Sequence, residues 1–175
     1  MKSFFILFFV CITAIAFPQD SRSSHYIGIH AGSTTAYGLS YRFWPNKLGL
    51  EFTTLPTFQK IPPTNKNLIN STISTGLSIL YKIKENKIVD LYAYVGGFTL
   101  FKKTHTAEYE GGSYQTIYIK HEQLDLNLGL GIGTRFKFLE VMDFNLQLGY
   151  GMYKINQPNQ FYSQVAGEVG LYYNF

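Results

Sequence analysis

From Gln123 to Phe138 the chain alternates. Leu124, Leu126, Leu128, Leu130, Ile132, Thr134, Phe136 and Phe138 fall on one side. Gln123, Asp125, Asn127, Gly129, Gly131, Gly133, Arg135 and Lys137 fall on the other. Seven of the eight residues on the first side are apolar. An extended strand puts alternate residues on opposite faces, whereas a helix would scatter these leucines around its surface. The pattern recurs. In Thr72–Lys84, Ile73, Leu77, Ile79, Tyr81 and Ile83 oppose Thr72, Ser74, Gly76, Ser78, Lys82 and Lys84. In Phe144–Lys154, Phe144, Leu146, Leu148, Tyr150 and Met152 oppose Asn145, Gln147, Gly149 and Gly151. At the end, Val165, Val169, Leu171, Tyr173 and Phe175 oppose Gln164, Glu168, Gly170 and Asn174. Tyr26–Ser33, Ala36–Phe43 and Leu48–Phe58 follow more loosely. Ile88–Phe101 is a strand by composition, with its facing unresolved. Eight strands are expected.

A sheet with one wet face alternates too. Here the polar side is built of Gly, Ser, Asn and Gln with few charges of both signs, where a solvated face would carry many Lys and Glu. Charged residues make up only 15% of the chain, against roughly 25% in soluble domains. Aromatics reach 17%, which excludes a disordered chain. A mean hydropathy of −0.03 is far too low for a helical membrane bundle. The connections also alternate in length. Trp44–Lys47, Glu85–Lys87 and Leu139–Asp143 are short; Gln59–Ser71, Lys103–Thr116 and Ile155–Tyr162 are longer, and only Ser33–Thr35 is short among the second set. Short turns on one side and longer loops on the other are expected of outer-membrane barrels. Backbone amides in hydrocarbon need partners, so such a sheet must close. Eight strands enclose a lumen just wide enough for side chains. The predicted fold is therefore all-β: a closed antiparallel up-and-down transmembrane barrel. A soluble ligand-carrying barrel is the competing reading, and it would turn its apolar face inward.

Lys2 and the apolar run Phe4–Ala16, closed by Ala14-Ile15-Ala16, read as a secretory signal peptide spanning residues 1–16, with the barrel domain in 17–175. The run is short for a spanning helix, which needs roughly 20 residues. Cys11 lies inside it, and Val10 is not the small residue a lipoprotein site wants. Without Lys2, 14 basic and 11 acidic residues leave a net charge of +3, too mild to suggest nucleic acid. An even strand count puts both termini in the periplasm.

The last residues read Glu168-Val169-Gly170-Leu171-Tyr172-Tyr173-Asn174-Phe175. This resembles the C-terminal assembly signal of bacterial outer-membrane barrels, at Glu168, Gly170, Tyr173 and Phe175. The whole mature chain resembles the small eight-stranded outer-membrane barrels of the OmpX/OmpA type, and its Lys, Asn, Ile, Phe and Tyr bias is similar to Bacteroidetes-type sequences. The resemblance implies a monomeric integral outer-membrane protein in contact with lipid and lipopolysaccharide. It also implies recognition of the terminal signal by the barrel-assembly machinery.

Inward positions carry Arg42, Lys82, Arg135 and Lys137 against Glu51, Asp125 and Glu168, with His30 beside them. Such charges must pair in a narrow lumen, which makes them a plug; a narrow polar conduit is the alternative. Tyr41, Phe43, Trp44, Phe136, Phe138, Phe144, Tyr173 and Phe175 are expected to form an aromatic girdle at the turn end. In the third long connection, Thr104–Tyr109 and Tyr114–His121 favour strand, and Glu110-Gly111-Gly112-Ser113 supplies turn residues. Strands five and six are expected to rise above the membrane as one hairpin, with Tyr109, Gly111, Gly112 and Tyr114 at its tip. In OmpX-type proteins the raised sheet is linked to surface contacts, so the resemblance implies a structural or adhesion-like role. Lys102, Lys103, Lys120 and His121 at its base could meet lipopolysaccharide phosphates. A lipid A-modifying enzyme would need a nucleophile and base at this rim. His105, His121, Ser113, Glu108 and Glu110 are present, with no recognisable spacing. No cofactor is expected, no metal-ligand cluster is apparent, and no phosphate-binding fingerprint occurs.

Overall fold

The computed structural model describes residues 25–60, 68–109, 116–139 and 141–175. The predicted signal segment, Gly111, Gly112 and Tyr114 lie outside these. Eight strands follow one another: β1 (His25–Ala31), β2 (Tyr37–Phe43), β3 (Leu48–Lys60), β4 (Ile69–Glu85), β5 (Val89–Tyr109), β6 (Thr116–Leu139), β7 (Met142–Tyr153) and β8 (Tyr162–Asn174). Each pairs antiparallel with the next, and β1 pairs with β8 to close the barrel. The all-β, eight-stranded up-and-down fold read from the alternation is the fold observed.

Along β6, Leu124, Leu126, Leu128, Leu130, Ile132 and Phe138 are exposed, while Asp125, Asn127, Gly129, Gly133 and Arg135 are buried. The other strands repeat this, with Val165 69% exposed and Ile29 and Leu39 each 62%. A continuous apolar belt on the outside and a polar, small-residue interior are the inverse of a soluble barrel. Soluble monomers rarely expose apolar patches beyond a few hundred Å². This surface belongs in a bilayer, and closure leaves no edge along most of it.

Glycine on the inner face makes room for aromatic side chains. A Cβ on Gly133 would stand 2.4 Å from Cζ of Tyr92, and one on Gly49 would stand 2.8 Å from Cγ of Trp44. These residues supply shape to the lumen rather than flexibility.

Four local expectations are corrected. Trp44 is 3% exposed and lies inside the turn end, not in the girdle; it is two residues beyond the inward Arg42 and keeps its parity. Lys84 is exposed rather than inward, because a register shift between Lys82 and Lys84 inserts an extra residue there. Asp143 belongs to β7 and is buried, not part of a turn. Ser33–Thr35 is no surface loop: Thr34 and Thr35 are buried, and Ala36, at φ 82°, turns the chain into the lumen.

The loop end is uneven. β1 and β2 have 7 residues each, whereas β5 has 21 and β6 has 24. Pairing of β5 with β6 runs without interruption from Val89↔Phe136 to Tyr109↔Thr116.

Candidate functional site

Two features stand out: a lumen filled by polar and aromatic layers, and a bare-edged hairpin above it.

At the turn end, Arg135 donates from Nε to Asp90 at 3.0 Å and from Nη1 to the Tyr26 hydroxyl at 2.7 Å, and it also bonds Asp90 through Nη2. Lys137 Nζ meets the other Asp90 oxygen at 2.9 Å. Trp44 packs edge-on against Tyr92, with ring centroids 5.2 Å apart. The guanidinium of Arg135 stands 5.0 Å from the indole centroid and the Lys82 ammonium 5.4 Å, a cation–π contact from each.

At mid-height, Arg42 is held on both sides. Its Nε donates to Glu51 at 2.7 Å, its Nη2 also bonds Glu51, and its Nη1 donates to Asn145 at 2.7 Å. The Tyr172 ring lies 4.3 Å from the guanidinium carbon. Tyr92 donates to Asn145 at 3.3 Å and accepts from Gln147 at 3.0 Å. Replacing a paired buried charge by an unpaired one would be costly, so this layer holds as a unit.

Above it, Glu168 of β8 reaches across the seam to the β1–β2 connection. It accepts from the Thr34 backbone N–H at 2.6 Å, from the Thr35 hydroxyl at 2.6 Å and from the Thr34 hydroxyl. His30 Nε2 is 3.3 Å from the same carboxylate and 2.8 Å from the Thr35 hydroxyl, and His30 Nδ1 is 3.1 Å from the Tyr172 hydroxyl. The short loop is thereby drawn into the barrel mouth, and Ala36, Phe98 and Tyr153 pack as an apolar lid over it.

Of the residues singled out in the sequence, Arg42, Glu51, Arg135, Glu168 and His30 point into the lumen and are buried. Lys82 sits at the turn-end mouth and pairs with Glu85 at 3.0 Å, away from the central layers. That ammonium holds the Glu85 carboxyl below the usual carboxylate range. Asp125 lies at the loop end and accepts from the amides of Gln123 and Gln157, at 2.8 Å each. Gly170 faces the Tyr172 ring from inside, whereas Tyr173 and Phe175 face out. Asn145 is buried on the polar side that the alternation assigned it, whereas Asp90 and the inward tyrosines were not anticipated. Apolar and aromatic residues occupy both faces of β5, so its alternation carries no contrast.

The hairpin has edges of two kinds. Between Leu126 and Leu124, side chains of the β7–β8 loop replace a strand: Asn156 accepts from the Leu126 N–H at 2.9 Å and donates to the Leu124 carbonyl at 2.6 Å. Beyond that, from Thr116 to Gln123, β6 has no strand on this side among the described residues. On the β5 side, Asn70 accepts from the His105 N–H at 2.8 Å, and β4 pairs no further than Lys103. His105 is thus engaged as an edge partner of Asn70, not with a nucleophile. Lys102, Lys103, Lys120 and His121 occupy four successive rungs. Lys120 pairs with Glu122 at 2.5 Å and lowers its carboxyl pKa. Glu108 and Tyr109 lie on β5 near its tip.

No family model matches the chain, and no curated protein matches it. Among solved structures, the N-terminal β-barrel domain of Pseudomonas aeruginosa OprF is similar, with 14% identity, a TM-score of 0.47 and coverage of 89% of this chain and 100% of that one. Ail, the attachment invasion locus protein of Yersinia pestis, solved with the heparin analogue sucrose octasulfate, gives 17% identity and 0.47 over 90% of this chain and all of Ail. Neisserial surface protein A gives 17% and 0.43 over 89% of this chain and all of that protein. The fold of this chain is established by its own strand pairing.

Proposed function

We propose that this chain is an integral protein of the bacterial outer membrane whose work is surface interaction through the raised β5–β6 hairpin. The observation that carries the reading is the bare β6 edge from Thr116 to Gln123, standing beyond the last rung of β7. A membrane crossing takes roughly 9–11 residues, and β6 has 24. Unpaired strand edges recruit strands from other chains. Natural proteins blunt such edges when they are not used, and Asn156 and Asn70 do so lower down. The upper part is left open.

Under this reading the short turns and both termini face the periplasm and the loops face outward. The lumen is a structural plug, a reading supported by the partners that Arg42, Arg135 and Glu168 find inside it. The barrel is not an enzyme. Glu168, Gly170, Tyr173 and Phe175 serve recognition by the assembly machinery. Lipopolysaccharide meets the basic rungs at the hairpin base.

The test is a variant in which residues 106–119 are replaced by a two-residue Asn-Gly turn. Retained heat-modifiable gel mobility would show the barrel still folds. Loss of binding to host-cell or matrix proteins is expected, and undiminished binding would refute the hairpin's role.

A further inference from the structure

The turn end of the barrel holds a cavity of about 1320 Å³. Trp44, Tyr26 and Arg135, all buried, form its floor, and the turns at 44–47 and 86–88 form its walls. Lys47, Lys82, Lys87, Lys137 and Arg135 bring five cations to it. Glu85 and Asp143 line it with them, and Asp90 is buried against Arg135. The cavity is positive on balance, and a cleft of one sign between low-dielectric walls concentrates counter-ions.

Its charges are not equally satisfied. Arg135 is engaged by Asp90 and the Tyr26 hydroxyl, and Lys137 by Asp90 at 2.9 Å. Lys82 holds Glu85 at 3.0 Å, and Lys137 stands 3.8 Å from the same half-exposed carboxyl. The cavity thus already seats one carboxylate between two ammonium groups, drawn from its own wall. Lys47 and Lys87 are exposed, and their ammonium groups have no anionic partner among the described residues.

These features select a ligand. Trp44 is 3% exposed, with Arg135 and Lys82 already at its ring, so it offers no plane on which a nucleotide base could stack. Arginine forks suit phosphate, and Arg135 is engaged elsewhere. The free donors are two lysines on turns two strand spacings apart, about 10 Å along the rim. One small anion would have to draw both long side chains together, at a cost in side-chain entropy. An extended peptide carries carboxylates two or three residues apart, about 7–10 Å, and meets both lysines where they stand. Phe138 and Pro45 add an apolar wall beside them. We propose that this cavity binds an acidic peptide segment of a partner protein, with carboxylates on Lys47 and Lys87 and an apolar side chain against Phe138. The outer-membrane reading supplies only the compartment, the periplasm.

The experiment uses the whole refolded barrel in zwitterionic micelles at low salt. The probes are two fluorescent eight-residue peptides, one alternating Asp and Ala and the other Lys and Ala, followed by anisotropy. The Asp probe alone is expected to bind. Lys47→Gln/Lys87→Gln should weaken it about fivefold, the scale of two exposed ion pairs, whereas Lys102→Gln/Lys103→Gln on the hairpin should stay within twofold of the parent. Both should keep heat-modifiable mobility, since neither Lys47 nor Lys87 holds an ion pair in the fold. Lys47→Glu/Lys87→Glu should take up the Lys probe instead. A nitroxide on the Asp probe should quench Trp44, the only tryptophan; no quenching places the peptide elsewhere and overturns the site. Equal binding by the parent and Lys47→Gln/Lys87→Gln also overturns it. Tripolyphosphate held more tightly than the Asp probe, with the same lysine dependence, makes this a phosphate site and overturns the peptide. Labelling of Lys87→Cys in intact cells by an impermeant maleimide overturns the periplasmic orientation; failure of the probes overturns the cavity alone.

Discussion

Replacing Glu168 with leucine tests whether the lumen is held together by charge pairing. The carboxylate accepts three hydrogen bonds from Thr34 and Thr35 and stands beside His30. Hydrogen bonds to a charged group contribute about 1.5–3 kcal/mol each. They are not additive here, because all converge on one group. The two hydroxyls can turn to other acceptors; the Thr34 N–H cannot, and an orphaned buried N–H alone costs about 1–3 kcal/mol. Removal of one partner from a buried charged cluster costs about 3–5 kcal/mol. The expected loss for Glu168→Leu therefore lies at about 3–5 kcal/mol, with Glu168→Gln, which keeps one acceptor, at about 1–3 kcal/mol. Reversible urea unfolding in lipid vesicles reads this directly. Trp44 is the only tryptophan and is buried against Tyr92, so its emission reports on the packed lumen. The shift in midpoint should come without a change in slope. A Glu168→Leu barrel within about 0.5 kcal/mol of the parent, the range of an ordinary surface substitution, would refute a lumen held by that carboxylate.

Other expectations follow from the same layers. Arg42→Met and Glu51→Met should each destabilise by about 3–5 kcal/mol while the double variant loses less than the sum of the two, as a double-mutant cycle in urea would show. Gly133→Val should cost at least about 1–3 kcal/mol because the Tyr92 ring must move, and the same substitution at Gly167, where an added Cβ would meet nothing within 4 Å, should cost far less; gel-shift melting separates them. Brominated lipids should leave Trp44 emission unquenched, since its indole faces the lumen; strong quenching would return it to the girdle. Glu85 should titrate below 4.5 and move back toward it in Lys82→Met, followed by carbon-detected NMR. Its depressed pKa means a small stabilisation present above the unfolded value and lost as pH falls through the folded one.

The strands were legible because lipid on one side and packed polar groups on the other impose contrast at every second residue. Where contrast fails, so does the reading: β5 carries Val95 outside and Tyr94 inside, and the two look alike in a sequence. Parity alone would have placed Trp44 inside, since Arg42 precedes it by two; the turn signal at Pro45-Asn46 hid this. The inward loop could not be read locally. Thr34 owes its burial to Glu168, 134 positions away, and nothing in Gly32–Ala36 announces that partner. Gly131, Gly133 and Gly149 were visible as part of the small face, but their meaning lies in the rings of Tyr92 and Tyr94 on another strand.

The carboxylate that secures the first loop belongs to the last strand. A nascent chain thus has no means of corking its own mouth until the final segment docks beside the first. His30 and Tyr172 fasten that same junction from within. Completion of the cylinder and sealing of its bore are consequently one event, and a chain cut before Glu168 would remain both unzipped and uncorked.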